Sequence, residues 1–295
     1  MMAKKRNRFQ SNSDFTEANL PHTRPQVFKS VYRTRFFYIL KVSLLLTAFC
    51  LPLFIWQIFM QFKIDDIALS LAEDMSNSSE ILSETLWNVI FKNLVALPFF
   101  ALCGLGFGGA IHAFQKLVWN QISFASDFFE GFKKSFLRYL ACGILFGLSF
   151  FLLEFTIYAL PLTDFDFIIR AICYGLSIVQ ICFFAIFIAF IYLQYEYYSL
   201  KFFNAISNAF KLMIKSFFPC LLFILIIAIP YFLMFIKVRM LYFALIFVFL
   251  FVSSPGLISL ILYIDFKFDV LINRSSFPEI VDRGVFRERN YMHEK

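Results

Sequence analysis

Six apolar runs dominate this sequence, at about residues 36–62, 86–113, 137–160, 167–192, 217–235 and 241–264. Each is near or above the roughly 20 residues that an α-helix needs to cross the hydrocarbon core of a bilayer. A water-soluble fold has no interior able to hide them, because 60% of the 295 residues are hydrophobic, only 16% are charged, and Phe alone supplies 45. In lipid each backbone polar group must be satisfied internally, and a helix does this within one segment. The runs therefore predict an all-α polytopic integral membrane protein with six transmembrane helices in contact with bilayer lipid. Pro52, Pro98, Pro230 and residues 253–256 interrupt the runs and are expected kink positions.

Three segments follow from the pattern. Residues 1–35 are polar, basic and without apolar periodicity, and read as a disordered tail. The tail is too long for the charged region of a signal peptide, and no small-residue cleavage site follows the first run, which is therefore kept as a span. Residues 36–265 form the six-helix domain, and residues 266–295 a second tail.

The distribution of basic residues sets the orientation. Of 27 Lys and Arg, 21 fall in the two tails and in the loops at about 112–138 and 193–217, all on one side of a six-span chain. Five fall in loops on the other side, and Lys41 can snorkel from the first span. The first loop on that other side is acidic, with Asp65, Asp66, Glu73, Asp74, Glu80 and Glu84. The positive-inside rule then places both termini in the cytoplasm. It also accounts for the net charge of +7 without nucleic-acid binding. All six cysteines lie inside the runs and no CxxC pair occurs, so they read as reduced, small apolar residues.

Both basic loops carry an apolar stripe. In the first, Phe124, Phe128, Phe132 and Phe136 recur every four residues, opposite Asp127, Glu130, Lys133 and Lys134. In the second, Phe203, Ile206, Phe210, Met213 and Phe217 face away from Lys201, Asn204, Ser207, Lys211 and Lys215. Each predicts an amphipathic helix, lying in the headgroup plane or extending the span that follows. The two segments align at an offset of 81 residues, Lys134-Ser135-Phe136 on Lys215-Ser216-Phe217, which would make a parallel internal repeat of span, surface helix and span.

Gly104-Leu-Gly106-Phe-Gly108-Gly109 matches the dinucleotide fingerprint formally, but that motif needs a strand before it. Inside a span the same glycines make a small-residue face for close helix packing. The three histidines, His22, His112 and His293, lack metal-ligand spacing, and His112 reads as a solvated helix end. Gln57 and Gln180 read as hydrogen bonds between spans. Glu154 is the acidic residue inside a span, and Arg170 lies at similar depth across the tight turn at 160–166; the two are expected to form an interhelical ion pair that clamps the hairpin. No nucleophile elbow, phosphate loop, HExxH or paired carboxylates occur, and no soluble segment is long enough for a catalytic domain. The expectation is a non-enzymatic protein with no cofactor and no metal.

Residues 93–98 (NLVALP), then Gly106, then residues 127–136 (DFFEGFKKSF) resemble the signature of the YesL-like bacterial membrane proteins, a domain of unknown function, over about residues 88–140. The resemblance implies a Gram-positive cell membrane and relatives encoded beside carbohydrate-uptake ABC transporters. It transfers no catalytic or binding residues. The expected role is an accessory or interaction partner of a membrane complex, with an ABC permease as the implied partner. The alternative is a small-solute transporter or channel, which requires a continuous polar path.

Overall fold

The computed structural model describes residues 21–73, 78–121, 123–198, 200–232 and 239–286. Its helices are α1 Arg24–Glu73, α2 Ser78–Val118, α3 Ser126–Lys134, α4 Phe136–Ala159, α5 Phe167–Tyr197, α6 Phe202–Phe232 and α7 Arg239–Phe268. All except the short α3 are long and apolar enough to cross a membrane, so the chain is an all-α, six-span, multi-pass membrane protein. The spans pack as a closed ring in the order α1, α2, α4, α5, α6, α7, with α7 returning to α1. α2 also touches α5 and α7 and is the most enclosed helix, while α4 and α6 face outward most.

The ends of the described chain meet, since the Phe286 amide donates to the Pro21 carbonyl (2.7 Å). That side of the bundle, which also carries α3, is called the terminal side; the α4–α5 hairpin marks the other. Phe54, Phe114, Phe190 and Phe249 fill the interior, with the Phe54 and Phe249 rings 5.0 Å apart. Outside, Phe91, Leu137, Ile168, Phe218 and Phe247 stand exposed, as a hydrocarbon solvent allows.

The helices outrun the apolar runs at the terminal side, and this corrects the domain boundaries. Residues 24–35 are not tail: they are the first turns of α1, with Val27 and Val31 buried one turn apart. The helical path breaks at Arg35 (φ −125°, ψ 24°), while Pro52 sits inside the continuous part. At the other end α7 passes residue 265, ends in a π-turn at Asp269–Asn273, and leads to a strap that folds back over the bundle. Of the expected tails, residues 1–20 and 287–295 lie outside the described residues.

Gly284 holds the strap, with φ +79°, and a methyl group there would lie 2.0 Å from the Val118 carbonyl oxygen at the end of α2. Gly284→Ala therefore costs about 1–2 kcal/mol from the left-handed backbone alone, equivalent to roughly tenfold more frequent opening of the strap. Trypsin cleavage after Arg283 is expected to accelerate by that factor, and unchanged cleavage would show that the strap is not held there.

The two amphipathic segments differ. The first is a separate helix, because Ser135 leaves helical geometry (φ −138°, ψ 39°) before α4 begins. Phe128 and Phe132 turn onto Phe49 of α1, at 5.4 and 5.6 Å between ring centroids. Phe136 belongs to α4 and is exposed, as is Phe124, so the expected four-residue stripe is split by the break at Ser135. The second segment is the unbroken start of α6, an extension of its span rather than a surface helix.

Candidate functional site at the two ends of the second helix

The glycines of α2 let three neighbours approach. A methyl group at Gly104 would lie 2.5 Å from the Tyr139 carbonyl oxygen and 2.9 Å from the Gly143 Cα on α4. One at Gly106 would strike Phe49 of α1, one at Gly108 the Tyr139 ring, and one at Gly109 the Phe128 carbonyl oxygen of α3. Gly143 and Gly147 complete the crossing from the α4 side, where methyl groups would meet the Phe100 carbonyl oxygen and ring. Two small-residue faces four residues apart thus lock α2 and α4 in antiparallel register.

That register decides the partner of Glu154. Stepping along the pair, Gly108 lies on Tyr139, Gly104 on Gly143 and Phe100 on Gly147; two further turns bring Lys92 to Glu154. Lys92 is fully buried and its Nζ is 2.7 Å from Glu154 Oε1, while Asn93 Nδ2 donates to Oε2 at 2.7 Å. Lys92 Nζ also donates to Gln61 Oε1 (3.4 Å), and Gln61 Nε2 to Asp65 (3.0 Å) and to the Tyr158 hydroxyl (3.4 Å). The expected Glu154–Arg170 pair is therefore replaced: Arg170 turns back across the hairpin and donates to the Thr163 carbonyl (2.6 Å). Glu154 faces α2 because the glycine crossing turns that side of α4 inward.

A second cluster closes the terminal end of α2. Glu196, on the last turn of α5, is fully buried in its side chain and is 2.6 Å from His112 Nδ1 through Oε2. The Tyr139 hydroxyl donates to Oε1, and Lys134 of α3 reaches the same residue, with Nζ 3.4 Å from its carbonyl oxygen. Tyr139 stacks on Tyr192 at 4.7 Å, whose hydroxyl donates to the Gly104 carbonyl at 2.8 Å. One carboxylate thus ties α2, α3, α4 and α5. Beside it, Lys116 bridges Asp127 and Glu130 at 3.0 Å each and fastens α3 to α2. His112 is consequently buried and paired, not a solvated helix end, and its Nε2 is buried without a partner among the described residues.

A third cluster joins the ends of the described chain. Arg24 pairs with Asp265, on the last turn of α7, and with Asp269 (2.6 Å), which opens the π-turn. Asn273 Nδ2 donates to Asp269 (2.7 Å) and its Oδ1 accepts from the Tyr198 hydroxyl (2.5 Å). The Asp282 amide of the strap donates to Asp269 as well (3.1 Å).

Between these levels the polar contacts are short and local. Gln180 Nε2 donates to Ser149 across α5 and α4 (2.9 Å), and Ser43 pairs with Ser254 across α1 and α7. A groove of about 470 Å³ opens beside Pro52, Trp56, Phe59 and Phe99, with almost wholly apolar walls. Among the described residues no group of three or more His, Cys, Asp or Glu is placed to hold a metal ion, and the six cysteines carry no disulfide.

Lys92, Glu196, Asp265 and Asp269 escaped the reading of the sequence. The missed signal is register: the crossing that seats Gly104 on Gly143 and Phe100 on Gly147 also decides which residues meet two turns further on, and there Lys92 reaches Glu154. Comparison with protein-family models, with curated proteins and with solved structures returned no match.

Proposed function

We propose that this protein is a non-enzymatic accessory component that binds another membrane complex, set in a cell membrane with both termini in the cytoplasm. The observation that carries the reading is the disposition of ionisable groups on α2. Lys92 and His112 are 20 positions apart, about 30 Å along a helix, and each is consumed by a carboxylate of its own. The interval is occupied by Ala96, Phe100 and the glycine crossing. A relay or solute path needs polar groups in succession at the midplane, whereas two separate clamps hold a rigid bundle and leave its outer surface for recognition.

The terminal side supplies that surface: Lys133, Lys134, Arg138, Lys201, Lys211 and Lys215 are all exposed. Its basic character supports a cytoplasmic placement under the positive-inside rule. The resemblance to YesL-like proteins makes the permease subunits of a carbohydrate ABC transporter the first partner to test. Native membranes solubilised in mild detergent and treated with a lysine-reactive crosslinker are expected to give links from Lys133, Lys134 or Lys201 to a second membrane protein. Recovery of this chain alone, under conditions that keep known complexes intact, overturns the reading. Solute uptake by vesicles holding only the purified chain would do the same in favour of a transporter.

A further inference from the structure

The start of α6 carries a feature that the polar clusters do not use. Lys211 and Lys215 are one turn apart, so their side chains leave the helix side by side. Both are exposed, and neither has an acidic or hydrogen-bonding partner among the described residues. With Asn208 and Leu212 they form one wall of a cleft of about 220 Å³ whose other wall is Leu271 and Ile272, in the π-turn that ends α7. The remaining wall of the interface is closed, since Ala209, Leu212, Met213 and Ser216 are buried against neighbouring helices. The cleft is therefore a notch between two spans with two cations at its rim and apolar residues at its base.

What lies beyond the lysines along α6 distinguishes the ligand. Phe218, Leu222, Ile226 and Ile229 continue the same face of the helix into the membrane-spanning part, and all are exposed, Phe218 at 78% and Leu222 at 64%. Ile229 is 18 positions beyond Lys211, about 27 Å of helix, close to the roughly 30 Å hydrocarbon thickness. The lysines are thus at headgroup depth when the apolar strip lies against acyl chains. A free phosphate would use the two ammonium groups and the Asn208 amide; a phospholipid uses these and the apolar strip as well. Lys267, one turn before Leu271 on α7, is held over the Tyr263 ring at 5.5 Å and adds positive potential near the same level. The nearby Asp265 and Asp269 are buried and turned toward Arg24 rather than toward the cleft.

We propose that the notch between α6 and the π-turn of α7 is a binding site for an anionic phospholipid, with Lys211 and Lys215 on the headgroup phosphate, Asn208 on its oxygens, and an acyl chain along Phe218 and Leu222. The site selects headgroup charge. Each basic residue near an anionic headgroup contributes about fivefold in affinity, so the pair contributes on the order of 25-fold.

Native mass spectrometry of the full-length protein in detergent tests this, with phosphatidylglycerol and phosphatidylcholine of identical acyl chains as probes. The wild type is expected to retain phosphatidylglycerol in preference to phosphatidylcholine. Lys211→Gln/Lys215→Gln is expected to lower phosphatidylglycerol retention by roughly 25-fold and to lower that of phosphatidylcholine, whose choline offsets the phosphate charge, much less. Lys211→Arg/Lys215→Arg keeps the charge and is expected to restore retention, and Lys133→Gln/Lys201→Gln serves as the control that leaves it intact. Inorganic phosphate at millimolar concentration is expected not to displace the lipid. Equal retention by the Gln pair and the wild type overturns the site. Full displacement by inorganic phosphate would reduce it to a simple anion site and likewise overturn the lipid assignment. Loss in the Arg pair comparable to that in the Gln pair would attribute the effect to packing and also count against it.

Discussion

Lys92→Met is expected to cost about 3–5 kcal/mol of stability, the range for removing one partner of a buried ion pair and stranding the other. The side chain is fully buried, and Met matches its length, so the loss measures Glu154 left with Asn93 alone. The double variant Lys92→Met/Glu154→Met removes both charges and is expected to recover most of that loss, leaving an interaction energy of at least about 2 kcal/mol in the cycle. Arg170→Met breaks only a bond to a hairpin carbonyl and is expected to change stability by about 0.5 kcal/mol or less. Thermal unfolding in detergent, followed by a thiol-reactive fluorophore, reads all three, because Cys50, Cys103, Cys142 and Cys220 are buried until the bundle opens. Additive single and double effects, or a larger coupling of Glu154 to Arg170 than to Lys92, would remove the pair.

Gly143→Val is expected to be at least as damaging. The first added carbon would lie 2.3 Å from the Phe100 carbonyl oxygen and 2.9 Å from the Ala101 Cα, both backbone atoms of α2 that cannot swing aside. Overpacking alone costs about 1–3 kcal/mol. Here the separation of α2 and α4 also pulls Glu154 from Lys92 and Tyr139 from Glu196, so the total is expected to reach about 4 kcal/mol or more. Gly175→Val is the matched control: nothing lies within 4 Å of the added carbon at Gly175, and the change there is expected to stay within about 0.5 kcal/mol. The same thiol assay separates them. Similar unfolding temperatures for the two variants would mean that the crossing is not close-packed.

The six spans were legible because membrane-crossing helices announce themselves one segment at a time: length and hydropathy of 167–192 or 241–264 need no knowledge of the rest of the chain. The small-residue face on α2 was legible for the same local reason, since Gly104 and Gly108 are one turn apart. Partners were not. Glu154 and Arg170 are close in sequence across a tight turn, and proximity suggested a pair, but helix rotation decides which flank faces inward. That rotation is fixed by Gly143 and Gly147 against α2, and it hands Glu154 to a lysine 62 residues away. His112 misled in the opposite direction. Its position at the edge of an apolar run suggested solvent, whereas α2 continues to Val118 and α3 folds over it, with Gly131 against the His112 side chain. The ends of apolar runs are poor guides to the ends of helices where ionisable residues have buried partners, and the terminal side of this bundle is built of such places.

The bond between Arg24 and Asp265 spans 241 positions of the chain. At roughly 5–20 residues per second of synthesis, the first helix waits about 10–50 s for the last one to emerge. During that interval Arg24, Ser43 and Phe54 face no α7, and the ring of spans is an open arc with an unclosed edge on α1. Biogenesis of this protein is therefore a problem of holding the first helix until the last arrives. Arg24 and Ser43 thus acquire their partners on α7 last, and the ring closes between the first span made and the final one.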